Sequence, residues 1–228
     1  MAAGSLIAAL AITFCAPHVG YPQAAPLSQE AEVAIMLDRV NGAAGLPQLR
    51  ESILPPGTRE LRFLASDGGM MWRGLPLLRI VQTPDSVFGE VYLVWYDRLD
   101  STGTPIEPNW VVSSGDGCVA RQYRPGLSSC KLPLWHISWP EVADTLDRLG
   151  AWDLFPTAGL VRRGDRTVDS SAGGLIVTVT TEQGSIFGEA RIGDHYGSLW
   201  YSAPDRLAGP EVPPLRRVAA IVKRLSRQ

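Results

Sequence analysis

The sequence predicts an α+β fold: one domain in which an antiparallel sheet of about five to seven strands, with two hairpins, packs with three helices. Three observations lead there. Residues 138–156 carry the apolar spacing and both end signals of a helix. The segments on either side alternate apolar and polar residues, as half-buried strands do. Two more helical stripes stand near the ends of the mature chain.

In chain order, residues 6–14 (LIAALAITF) form an apolar run too short to span a bilayer and of the right length for a signal-peptide core. Residues 1–25 are therefore read as a signal peptide or anchor-like segment and residues 26–228 as the domain. No Lys or Arg precedes the run and no clean A-x-A site follows it. Lipid anchoring at Cys15 is disfavoured because Phe14 is too bulky for the position before an acylated cysteine. The expected location is the periplasm or the extracellular space, with no stable transmembrane helix in the mature chain.

Ser28 is expected to cap the first helix, which runs to about Val40. Glu30 and Glu32 lie in its positive first turn, and Val33, Met36, Leu37 and Val40 make its stripe. Asn41-Gly42 is read as its stop and residues 41–58 as a connector. Strands follow at 60–65, 75–82 and 87–96, the last two joined by the turn residues Thr83-Pro84-Asp85-Ser86. The third of these is apolar on both faces, so it is placed inside the sheet. Residues 110–113 and 118–123 are read as short strands within a loop-rich region.

The central helix has Ser138 and Glu141 spaced as a capping box, with Ile137 and Val142 as a hydrophobic staple. Trp139, Val142, Ala143, Leu146 and Leu149 form its stripe, Asp144 and Arg148 a weak pair, and Gly150 its end. Residues 160–173 read as loop. Residues 175–181 and 185–192 read as a second hairpin through Glu182-Gln183-Gly184, and 199–202 as a last short strand. Pro213-Pro214 open a closing helix with the stripe Leu215, Val218, Ala219, Val222 and Leu225.

Composition narrows the function classes. A formal charge of −2 gives no electrostatic footprint for nucleic acid. Lys131 and Lys223 are the only lysines, an arginine bias that fits a GC-rich bacterial genome and says nothing of function. No nucleotide loop, zincin helix, calcium loop or nucleophile elbow is present, so no cofactor or metal is assigned.

Asp116, Cys118, Cys130 and His136 have zinc-ligand chemistry but not the paired spacing of known sites. With Cys15 removed in the signal segment, Cys118 and Cys130 are expected to form a disulfide instead. Trp110, Tyr123, Trp135 and Trp139 cluster around that loop and, with His136, offer a candidate carbohydrate-binding face; packing over the sheet is the favoured alternative. Ser86-Val87-Phe88-Gly89-Glu90-Val91 and Ser185-Ile186-Phe187-Gly188-Glu189-Ala190 resemble each other. Chance or shared hairpin stereochemistry is the favoured explanation, with Glu90 and Glu189 as solvated outer-face residues; a carboxylate pair is the sharper alternative.

These residues favour a non-enzymatic exported module that binds an unknown partner protein or envelope component. The alternative is an envelope hydrolase using His195 or His136.

Overall fold

The computed structural model describes residues 29–65, 74–99, 101–102, 105–106, 118, 120–124, 126–155, 160–163, 168–169, 176–177, 184–202 and 209–227. Residues 1–25, read above as a signal or anchor-like segment, Ser28, Trp110, Asp116 and the expected strand at 110–113 lie outside them.

The described elements follow in the order α1 (Gln29–Ala44), β1 (Arg59–Ala65), β2 (Leu75–Gln82), β3 (Val87–Tyr96), β4 (Arg98–Leu99), β5 (Pro105–Ile106), β6 (Arg121–Arg124), β7 (Leu127–Lys131), α2 (Trp139–Arg148), β8 (Leu160–Arg163), β9 (Val168–Asp169), β10 (Ile176–Val177), β11 (Ser185–Ile192), β12 (His195–Ser202) and α3 (Val212–Leu225). One sheet of eight strands carries the fold, in the order β6-β7-β3-β2-β1-β11-β12-β8. All its pairings are antiparallel except the edge pair β12–β8, which is parallel. The strands β4–β5 and β9–β10 make two small separate ladders.

Strand alternation divides the core into two. On the first face Leu61, Phe63, Leu78, Ile80, Val91 and Leu199 pack against Leu146 of α2 and Leu215, Val218 and Val222 of α3. On the second face Leu64, Leu77, Tyr92, Val94 and Phe187 pack against Val33, Leu37 and Val40 of α1. The sheet is thus sandwiched between helices, with little of its centre left to water.

The β2–β3 hairpin has the predicted bounds and turn, with the Thr83 amide donating to the Ser86 carbonyl at 2.8 Å. The closing helix buries the predicted stripe.

Five local expectations are corrected. Asn41-Gly42 does not stop α1. The helix continues to Ala44 and closes one turn later, where Gly45 takes φ 72° and the Leu46 amide donates to the Asn41 carbonyl at 2.8 Å. Gly42 stays helical, and the Tyr123 ring lies where its Cβ would be, so this glycine serves close approach rather than termination. At α2, Ser138 holds the N-cap backbone position, but its hydroxyl makes no capping bond. Arg148 donates to the Asp144 carbonyl rather than to its carboxylate, while Asp147 pairs with Arg59 at 2.6 Å.

The second hairpin is also different. β11 turns through Gly193-Asp194 into β12, and Ile176–Val177 pairs with Val168–Asp169 instead. Part of the stretch read as loop, Leu160–Arg163, is the edge strand β8. Clean alternation marked residues 175–181 as a strand but carried no information about its partner.

Candidate functional site

Among the described residues, a linked set of titratable side chains lies on the second face of the sheet. Register places Glu90, Arg79, Arg62 and Glu189 side by side in one row across β3, β2, β1 and β11. The neighbouring row contributes Glu60, whose Oε1 accepts from Arg62 Nε at 2.8 Å and from Arg79 Nε at 2.7 Å. Arg62 Nη2 lies 2.7 Å from the same oxygen as an ion pair, outside hydrogen-bond alignment.

At one end Glu90 accepts from Arg79 Nη1 at 2.9 Å, Tyr92 at 3.0 Å and Lys131 at 2.5 Å. At the other end Glu189 accepts from Asn41 of α1 at 2.7 Å, from Tyr196 at 2.9 Å and from Arg62 at 3.3 Å. Arg62 also donates to the Pro47 carbonyl at 2.6 Å, which draws the segment after α1 over the row.

Burial rises along the row. Lys131 is 58% exposed, whereas Arg62 and Glu189 are each 1% exposed. Three carboxylates (Glu60, Glu90, Glu189) face three cations (Arg62, Arg79, Lys131), so the formal charges cancel. That balance is what permits ionised groups to sit under a helix.

The environments differ. Burial opposes ionisation of Glu60, but the hydrogen bonds from Arg79 and the charge of Arg62 prevail, and its carboxyl lies below the usual range. Glu90 is held below the usual range in the same way, by Lys131, Arg79 and Tyr92 against burial. At Glu189 burial wins over Arg62, Asn41 and Tyr196, and the carboxyl is pushed up. Burial and the nearby carboxylates raise both phenols, Tyr92 to about 12 and Tyr196 further.

The sequence similarity between residues 86–91 and 185–190 is explained here. Arg62 pairs with Arg79, Phe63 with Gly188, and Ile80 with Gly89, so a local two-fold between β1 and β2 maps β11 onto β3. Each Phe-Gly-Glu places its Glu beside an arginine on the second face. Each Gly lies under an aromatic ring on the first: Trp139 over Gly89, Phe155 over Gly188. Glu189 is therefore buried rather than solvated, and Glu90 is half-buried. The two do not meet as a carboxylate pair, because Arg79 and Arg62 stand between them. The sequence signal for this network was the short repeat together with Leu-Arg at 61–62 and 78–79.

The residues singled out around the disulfide fall in different places. Cys118 and Cys130 are bonded, with Cα atoms 5.5 Å apart. The bond lies against Trp95 in a small cluster with Leu93, Ala120 and Leu132. Both sulfurs being engaged with each other, the zinc set loses its two thiolates. Among the described residues no group of three potential metal ligands converges.

Tyr123 packs on Gly42 within the second-face core. Trp139, on the other side of the sheet, is already part of the first-face core. Trp135 is 84% exposed, and His136 beside it is exposed too. His195 begins β12, also exposed. Among the described residues no side-chain hydrogen bond orients either imidazole.

Fold and site together define an α+β protein with helices on both faces of a mainly antiparallel sheet and a buried charge row inside it. Among the described residues no helix is long and apolar enough to cross a membrane. No protein-family model matches this chain, and no curated protein matches it in sequence.

Proposed function

We propose that this is an exported, non-enzymatic binding module that presents Trp135 and His136 to a partner protein or envelope component. The observation that supports this reading is the display of Trp135. It is 84% exposed on a segment fixed at both ends. Upstream, Cys130 is disulfide-bonded and Leu132 and Leu134 pack into the core. Downstream, Trp139 is pinned over Gly89. An exposed indole held on rigid backbone loses little conformational entropy on binding, and tryptophan is among the residues that dominate interface energies. The buried charge row supports the same reading, since its carboxylates are already engaged with cations and face α1 rather than an open cleft.

The test compares wild type with Trp135→Ala, each checked for native fold by circular dichroism. In-cell cross-linking in the native host should give one defined adduct that the variant loses. An adduct that persists unchanged in Trp135→Ala would move the recognition surface elsewhere. Labelling of the wild type by a hydrolase-directed covalent probe, lost in His136→Ala or His195→Ala, would favour the envelope-hydrolase alternative.

A further inference from the structure

α2 and α3 lie on the same face of the sheet, α2 over β3 and β2, α3 over β1 and β2. Their inner residues fix their rotation, since Leu146, Leu215, Val218 and Val222 are fully buried. Their outer residues carry opposite charge. α2 presents Glu141, Asp144, Asp147 and Arg148 around a shallow depression on its exposed side, Asp147 being paired with Arg59, so that Glu141 and Asp144 carry its outward negative charge. From residue 212 to the C-terminus the chain contains no acidic residue. Arg216, Arg217, Arg224 and Arg227 of that stretch are exposed, and Lys223 is half-buried. The outer side of this helix therefore carries positive charge alone, in a protein of net charge −2.

We propose that a second copy of this chain docks on this helical face about a two-fold axis. The acidic side of α2 lies against the basic side of α3 in both directions. An isologous contact requires a surface complementary to itself, and two neighbouring helices of opposite sign supply that. The charge pattern selects this occupant over an anionic membrane. A bilayer rich in acidic lipid would attract α3 but would face the carboxylates of α2 at the same time. A second copy satisfies both helices. The two proposals are read out by different variants, Trp135→Ala for the one and the charge reversals on α2 and α3 for the other, so either can fail alone.

The test is sedimentation equilibrium of the mature, disulfide-bonded chain. Wild type should dimerise at low ionic strength and dissociate as salt is raised from roughly 0.05 to 0.5 M, because exposed charges are screened over a few ångströms there. Arg217→Glu with Arg224→Glu should weaken the dimer by more than about tenfold, since it sets like charges opposite each other. Glu141→Lys with Asp144→Lys should do the same while leaving Asp147 with Arg59. An equimolar mixture of the two double variants should associate again, because each altered helix then meets its opposite. A merely misfolded variant would not be rescued in this way. A wild-type monomer at all concentrations up to about 100 µM overturns the proposal, as does a dimer indifferent to both double substitutions. Monomer that instead binds acidic phosphatidylglycerol vesicles, and loses this with Arg217→Glu and Arg224→Glu, overturns it in favour of a membrane surface.

Discussion

Arg62 and Arg79 stand directly opposite each other across the β1–β2 ladder, two like charges at the centre of a sheet. Side by side on neighbouring strands they repel. What makes the pairing stable is Glu60, which bonds to both guanidinium groups through the same oxygen. Glu60 has no counterpart under the local two-fold, where Leu77 occupies the equivalent place, so one acid serves two arginines.

The first prediction follows from that arrangement. Glu60→Gln preserves size but leaves the buried Arg62 and the half-buried Arg79 with only Glu90 and Glu189 to balance them. Breaking one partner out of a buried ionic set costs about 3–5 kcal/mol. Urea denaturation at neutral pH should show a loss of this order. A loss below about 1 kcal/mol would mean that the two outer carboxylates suffice.

The glycines beneath the aromatic rings give a second prediction. A Cβ at Gly89 would enter the Trp139 ring, whereas one at Gly188 would reach Phe155 and Phe63 at 3.0 Å. Gly89→Ala should therefore be the more harmful change, by about 1–3 kcal/mol for overpacking. Shrinking the ring in the double variant Gly89→Ala, Trp139→Leu should recover part of that loss. Thermal denaturation of the two single variants and the double variant measures it, and no recovery would place the strain in the backbone of β3.

How much of this was legible beforehand depends on the range of the interaction. The β2–β3 hairpin and the stripe of α3 are local patterns, with their turn and cap residues adjacent in sequence, and both were readable. The end of α1 was misplaced because Gly42 signals termination locally, while its reason for being glycine is Tyr123 from a distant strand. The hairpin partner of β11 was misplaced because turn residues flank that strand on both sides, Glu182-Gln183-Gly184 before it and Gly193-Asp194 after it, and composition does not rank the two. The buried row was the least legible. Glu60, Arg62, Glu189 and Arg191 alternate with apolar residues as an exposed face would. Only the register of four strands, and the laying of α1 and the Pro47 segment over them, turns that face inward. The short Phe-Gly-Glu repeat was visible, but its meaning required knowing that β11 and β3 flank the same central pair.

At α2 the structure revises the expected order of importance. Ser138 makes no side-chain capping bond, so Ser138→Ala should change stability by less than about 0.5 kcal/mol rather than by the usual cap value near 1. Leu146 is fully buried between α2 and the sheet, and Leu146→Ala should cost about 2–5 kcal/mol. Chemical denaturation of the two variants tests the order. A cost near 1 kcal/mol for Ser138→Ala would mean that the hydroxyl caps the helix in solution.

The last prediction concerns pH. Glu60 and Glu90 have carboxyls held below the ordinary value near 4.5. Their stabilisation is present above that value and is lost as pH falls through their folded pKa values. Glu189 is shifted the other way. Between the ordinary value and its raised folded one, the unfolded chain releases the proton while the folded chain keeps it. Stability from this group therefore falls as pH rises through that window, and above it the ionised, buried carboxylate remains a constant cost. The two effects occupy different pH ranges and can be separated. Glu189→Gln keeps an acceptor for Asn41, and Arg62 retains Glu60 and the Pro47 carbonyl, so no cation loses all of its partners. The variant should lose the decline of stability with rising pH above about 4.5 and keep the acid-side decline due to Glu60 and Glu90. Denaturation midpoints measured from pH 3.5 to 8 for wild type and variant resolve the two limbs. If the slope above 4.5 is the same in both proteins, Glu189 is not the group that produces it, and its carboxylate is fully compensated by Arg62, Asn41 and Tyr196.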